Sequence, residues 1–154
     1  MIKFSIVVPT YNRGDRLCDT LRSVLSQSYD CFEILVIDDG STDNTAELVS
    51  DIKDPRLRYF YQKNQERAVA RNKGISLALV TGNHLSCLGI FIHESIIQDH
   101  QFDEKVELIG SEDYELWLRL SKRYYLHYSN EVSLSLINHQ SRSVTSFKDE
   151  RLIK

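Results

Sequence analysis

Apolar and polar positions along the chain keep two alternating periods as far as Gly82. Phe4-Ser5-Ile6-Val7-Val8 is a short β-branched run ended by Pro9, which predicts a buried strand. From Asp15 to Gln27 the residues Leu17, Leu21, Val24 and Leu25 fall at helical spacing and form one apolar stripe. Phe32 to Ile37 predicts a second buried strand, stopped by Asp38-Asp39-Gly40. Asn44 and Glu47 stand at capping-box spacing at the head of a second helix, with Leu48 and Ile52 on its inner side. Asp54-Pro55 ends that helix, and Leu57 to Tyr61 supplies a third strand. Ala68 to Leu79 predicts a third helix, closed by Gly82.

A β-α-β-α-β-α order implies an α/β fold, with a doubly wound, mostly parallel sheet, right-handed crossovers and helices on both faces. Ligands bind such sheets beyond the carboxyl ends of the strands. That rule selects Pro9-Thr10-Tyr11-Asn12-Arg13 after the first strand and Asp38-Asp39-Gly40-Ser41 after the second. Beyond Gly82 the pattern loosens. Leu85 to Ile92 predicts a strand and Glu94 to Asp99 a short helix. Glu112-Asp113 opens a helix through Arg123 with Leu116, Trp117 and Leu120 inward. Tyr125 to Ile137 has the aromatic and β-branched content of one or two strands, and the tail from Asn138 is polar. The expected organisation is one domain over 1–154, with halves at 1–82 and 83–137 and a polar tail at 138–154.

Composition narrows the class. The 154 residues, 42% apolar and 27% charged, are those of an ordinary globular domain. A net charge of −3 provides no basic footprint for nucleic acid. No apolar run approaches the roughly 18 residues that span a bilayer, and the N-terminus lacks a cleavable leader pattern. Cys18, Cys31 and Cys87 are odd in number and widely spaced. That argues against a disulfide framework or a zinc site, and it leads us to expect the cytoplasm, free or peripheral to a membrane.

Candidate chemistry gathers at the two strand ends. An acidic pair there can accept hydrogen bonds from a base N–H or from ribose hydroxyls; equally, Asp39 and Asp43 can serve the backbone of their own turn. Tyr11 can lie against a nucleobase or simply cover the core, and Arg71 alone reads as a solvated helix arginine. Glu112 and Asp113 in a first helical turn can be dipole-complementing charges or catalytic carboxylates.

Three motifs give these residues a common setting. Ser5-Ile6-Val7-Val8-Pro9-Thr10-Tyr11-Asn12-Arg13, Glu33-Ile34-Leu35-Val36-Ile37-Asp38-Asp39-Gly40-Ser41-Thr42-Asp43 and Ala70-Arg71-Asn72-Lys73-Gly74 occur in order at suitable spacing. Together they resemble the opening of the family 2 glycosyltransferases, which have the GT-A fold. Ser111-Glu112-Asp113-Tyr114-Glu115-Leu116-Trp117 is similar to that family's acceptor-side motif. The resemblance implies a hexosyltransferase of polysaccharide biosynthesis that moves a sugar, with inversion, from a nucleotide-diphosphate donor such as a UDP-sugar. The acceptor would be a hydroxyl of a glycan, a lipid-linked molecule or a protein. The resemblance makes 1–82 the nucleotide-binding half and 83–137 the acceptor-side half. It places Pro9, Thr10, Tyr11, Asn12, Asp38, Asp39 and Arg71 at the nucleotide, with Asp39 on uracil, and Asp113, beside Glu112, as catalytic base.

The family also implies Mg²⁺ or Mn²⁺, held by an Asp-x-Asp pair after the third helix. Here Thr81-Gly82 runs straight into Asn83-His84-Leu85-Ser86, and no Asp-x-Asp occurs in the chain. Asp113-Tyr114-Glu115 would point its carboxylates apart on a helix. His139 is the remaining candidate ligand, by resemblance. The reading is a shortened GT-A domain, missing a segment between Gly82 and Asn83, with Leu85 to Ile92 filling the vacant place beside the first strand. Weak or absent sugar transfer is expected, and a catalytically inactive nucleotide-binding remnant is the alternative. A phosphoacceptor signalling domain fits less well, because Tyr61-Gln62-Lys63 offers no aspartate at the third strand's end.

Overall fold

The computed structural model describes residues 3–79, 84–87, 90–109 and 111–125. Five strands form one sheet: β1 (Phe4–Thr10), β2 (Phe32–Asp38), β3 (Leu57–Tyr61), β4 (His84–Cys87) and β5 (Ile90–Ile92), in the order β3-β2-β1-β4-β5. The first four strands run parallel, and β5 returns antiparallel to β4. Helices α1 (Gly14–Leu25), α2 (Thr45–Ser50), α3 (Glu66–Leu79), α4 (Glu94–Ile97) and α5 (Glu112–Ser121) connect or cover them, with a 3₁₀ turn at Val106–Leu108.

The period-2 alternation of β2 divides the core. Ile34 and Val36 pack with Leu17, Leu21 and Val49 under α1 and α2. Leu35 and Ile37 face the other way, against Ala70, Ile75 and Ala78 of α3 and Leu116 and Leu120 of α5. Every residue of β2 is buried, as a central parallel strand requires. Helices therefore cover both faces, as the element order predicts.

Several details depart from expectation. Strand β1 runs through Pro9 to Thr10 rather than stopping before the proline. Alternate β1 residues hydrogen-bond to β2, with Phe4 N–H donating to Cys31 and Thr10 C=O accepting from Asp39. Pro9 lies in the opposite set, facing the β4 side, where pairing already ends at Ile6. Its missing N–H thus leaves no gap in the ladder. The cap of α2 is Asp43, whose Oδ1 accepts from the Thr45 backbone and hydroxyl, while Asn44 makes no side-chain cap bond. Leu85 to Ile92 divides into β4 and β5. Its first part does fill the place beside β1, with Phe4, Ser5 and Ile6 opposite His84, Leu85 and Ser86. Gly82, the strands expected over Tyr125 to Ile137, the tail and His139 lie outside the described residues, apart from Tyr125 itself.

Candidate functional site

Thr10, Asp38 and Tyr61 stand level across three strands and mark the carboxyl edge of the sheet. The chain leaves β1 toward β2 but crosses from β3 to β4 on the far side of β1, so the end of β1 is the topological switch point. The two segments selected from the sequence meet here.

Asn12 ties them together. It adopts φ 49, the left-handed region that Asn tolerates better than most residues. Its N–H donates to Ser41 Oγ at 2.8 Å, and its Oδ1 accepts from the Thr42 N–H at 2.7 Å. The Asn12 side chain is therefore a staple between the two loops. Tyr11 beside it is 48% exposed, a ring available for stacking.

The adjacent aspartates have separate duties. Asp38 is enclosed: Oδ1 accepts from the Ser41 N–H at 2.8 Å and Oδ2 from the Tyr59 hydroxyl. Burial, then the Asp38 carboxylate, raises the pKa of that tyrosine above its ordinary value. Asp39 Oδ1 accepts from Gln62 Nε2 at 2.7 Å and from the Gln65 N–H at 2.9 Å, whereas Oδ2 makes no hydrogen bond among the described residues. Gly40, at φ +85, lets this turn close on its neighbour, since a Cβ there would sit 2.7 Å from the Asn64 nitrogen. Thr10 is 7% exposed, and its buried Oγ1 has no hydrogen-bond partner among the described residues. A buried hydroxyl without a partner is costly unless a ligand or water completes it.

A second cluster forms where α3 meets the start of α5. Arg71 Nη1 donates to Asp113 Oδ1 at 2.6 Å and to Glu112 Oε1 at 3.2 Å, and Arg67 Nε lies 3.5 Å from the same Glu112 oxygen. The Glu112 side chain is 5% exposed and the Asp113 side chain 36%, so only the aspartate presents itself outward. Burial raises the Asp113 carboxyl above its ordinary value; Arg71 pulls it down, Glu112 pushes it up and Arg67 pulls it down, with the net shift upward. Arg71 Nε and Nη2 make no hydrogen bond among the described residues. A cleft of about 60 Å³ adjoins the cluster, lined by Gln65 to Ala68, Asp103 to Lys105 and Glu112 among others. Glu66 on its wall has φ 76, a strained conformation for a residue with a side chain.

Helix α3 joins the two clusters, since Gln65 just before it binds Asp39 and Arg71 binds Asp113. Six residues of helix advance about 9 Å. The sequence did not single out Gln62, Gln65, Tyr59 or Asn72. Asn72 left a signal, a polar residue on the stripe of α3 that carries Ile75 and Ala78; the two glutamines, in an irregular loop, left none.

The metal implied by the motifs does not fit these residues. Among the described residues no group of three or more His, Cys, Asp and Glu could hold an ion. Asp113 and Glu115 diverge as expected, Asp113 to Arg71 and Glu115 to Arg119 at 2.8 Å. Strand β4 pairs only as far as Ser86, opposite Ile6, four residues or roughly 13 Å short of Thr10. Its end does not reach the carboxyl edge.

The family model Glycosyl transferase family 2 matches residues 5–87, more than half of the chain. The chain therefore belongs to glycosyl transferase family 2. An uncharacterized glycosyltransferase of Rickettsia felis is 50% identical over 113 residues, covering 71% of this chain and 18% of that protein. The putative teichuronic acid biosynthesis glycosyltransferase TuaG of Bacillus subtilis is 39% identical over 77 residues, 48% of this chain and 31% of that one. Among solved structures, S. aureus TarS matches at 26% identity and a TM-score of 0.49, over 66% of this chain and 20% of that one. The chain thus spans less than a fifth of the length of the Rickettsia relatives.

Proposed function

We propose that this chain is the nucleotide-binding part of an inverting glycosyltransferase whose donor is a UDP-sugar. The observation that carries the reading is the state of the strand-end polar groups among the described residues: Thr10 Oγ1 is buried without a partner there, and Asp39 is held by two donors with Oδ2 left over. An ionised carboxylate only accepts hydrogen bonds. It suits a base whose ring nitrogen carries a proton, as in uracil, and opposes cytosine, whose equivalent nitrogen is an acceptor. Tyr11 supplies a stacking surface, and the spare N–H groups of Arg71 can reach the donor without releasing Asp113. Pro9, Asn12 and Asp38 support this edge by shaping its backbone.

In the transfer step Asp113 accepts the proton of the acceptor hydroxyl as that oxygen attacks the anomeric carbon and the nucleoside diphosphate departs from the opposite face. An upward-shifted carboxyl is a stronger base than an ordinary aspartate. Glu112 lies behind it, enclosed by Arg67 and Arg71.

The lack of a fitting metal site among the described residues favours a second reading, a nucleotide-binding module that does not turn over. Calorimetric titration of UDP and CDP with and without Mn²⁺, beside an assay of UDP-sugar hydrolysis, separates the two. UDP binding indifferent to Mn²⁺, with no hydrolysis, identifies the module. Metal-strengthened binding with turnover identifies the transferase. In both, Asp39→Asn weakens UDP by about tenfold to a hundredfold, the worth of one charged hydrogen bond. Equal binding of UDP and CDP, or no binding of either, would overturn the nucleotide assignment.

A further inference from the structure

We infer that Asn72 is a positioning residue for Asp113: its clasp on Phe102 fixes the Arg71 guanidinium that holds the Asp113 carboxylate. The inference deepens the proposed role of Asp113 as base, and it concerns a side chain that touches neither donor nor acceptor in that scheme.

Residues 101–105 form an irregular segment between α4 and the 3₁₀ turn, so Phe102 has no neighbouring strand to satisfy its backbone. Asn72 takes that place. Its Nδ2 donates to the Phe102 carbonyl at 2.9 Å, and its Oδ1 accepts from the Phe102 N–H at 3.0 Å. Nδ2 also donates to Glu104 Oε1 at 2.7 Å, so the carboxamide, 6% exposed, is fully engaged. The clasp holds the buried Phe102 ring edge-on to Trp117, with centroids 6.4 Å apart. The Arg71 guanidinium carbon lies 5.1 Å from the centre of the same ring. Arg71 therefore has its guanidinium over the Phe102 ring and its Nη1 within hydrogen-bond reach of both Glu112 and Asp113. A free arginine side chain samples many rotamers, and losing that freedom costs about 2 kcal/mol. Here the aromatic face has already restricted it before the carboxylates are met. Release of Phe102 would leave Arg71 hinged at its backbone and would weaken its hold on Asp113.

A merely structural asparagine would be missed in the stability of the protein and nowhere else. The discriminating measurement is the titration of Asp113 by carboxyl-carbon NMR, with the amide spectrum reporting that each variant is folded. The charged groups facing Asp113 are Arg71, Arg67 and Glu112, and all three are retained in Asn72→Ala. Arg71→Gln should raise the Asp113 midpoint, because a cation is lost. Asn72→Ala should raise it by a smaller amount, on the order of several tenths of a unit. In the Arg71→Gln background the same Asn72→Ala should produce no further shift. Should Asn72→Ala fail to fold, Asn72→Ser, which cannot satisfy both Phe102 groups, is read in the same way. No shift in the wild-type background, or an equal shift in both backgrounds, overturns the inference. The titration needs no substrate, so a chain without transferase activity leaves the test intact.

Discussion

At the scale of the residue, Asp113 combines outward exposure with an environment that disfavours its charge. Its folded value is raised, with burial the largest cause. A carboxyl raised in this way favours the fold while it is protonated. That contribution is complete below the unfolded value of about 3.9 and is lost as pH rises through the folded one. Asp113→Asn, which stays neutral, should therefore melt above the wild type at neutral pH, with the difference closing as pH falls through about 4. Thermal melts at pH 7 and pH 3.5 check this, and a variant that melts lower at pH 7 would contradict the sign. Any transfer activity would rise with pH through a midpoint above that of an ordinary aspartate. The neighbouring aspartates show where sequence stops informing at this scale. Asp38 and Asp39 are adjacent, yet their duties are assigned by Tyr59 and Gln62, 21 and 23 positions away. The motif placed both at the nucleotide, and only the fold separates the pin from the open acceptor.

At the scale of the element, α3 lies close on β1. A Cβ on Gly74 would come within 2.2 Å of Val7 Cγ1 and 3.2 Å of Ile37 Cγ1, and the β-branched valine cannot swing aside. Helix propensity alone would make Gly74→Ala stabilising by about 1 kcal/mol. The overlap should reverse the sign and destabilise by about 1–3 kcal/mol, a fall of several degrees in the melting temperature. Val7→Ala introduced into the same chain should recover most of that loss. A Gly74→Ala protein melting above the parent would show that the helix does not pack this tightly. Elements were legible where one physical signal dominated. Ile34 to Ile37 is an unbroken apolar run closed by Asp38, and Leu57 to Tyr61 forms a strand over the span its pattern predicts. They were illegible where the choice was among near equals. Asn44 and Asp43 can each cap α2, and tertiary placement rather than propensity selected the aspartate. The division of Leu85 to Ile92 into two strands has only Gly89 as its mark in the sequence.

At the scale of the molecule, the sheet is unevenly supported. Strand β2 is paired with β1 at seven residues and with β3 at five, whereas β4 meets β1 at three residues and β5 at three. Amide exchange should rank the strands in that order. We expect Ile34 to Ile37 to be protected most and His84 to Cys87 less, by a factor on the order of a hundred. Equal protection would mean that the sheet opens as one unit. The doubly wound architecture was legible because six alternating elements admit few topologies. The union of α3 with α5 was not, because Arg71 and Glu112 are 41 positions apart and nothing local announces their contact.

The position of β4 also bears on how such a chain can gain or lose material. The side of β1 away from β2 accommodates one strand, and β4 occupies it with a three-residue contact. A longer strand introduced after Gly82 could not simply join the outer edge of the sheet. It would compete with β4 for the same backbone groups of β1 and, being longer, would displace it by branch migration. The β4–β5 hairpin would then move outward by one lane. Growth of this sheet is thus an exchange of occupants at an interior position.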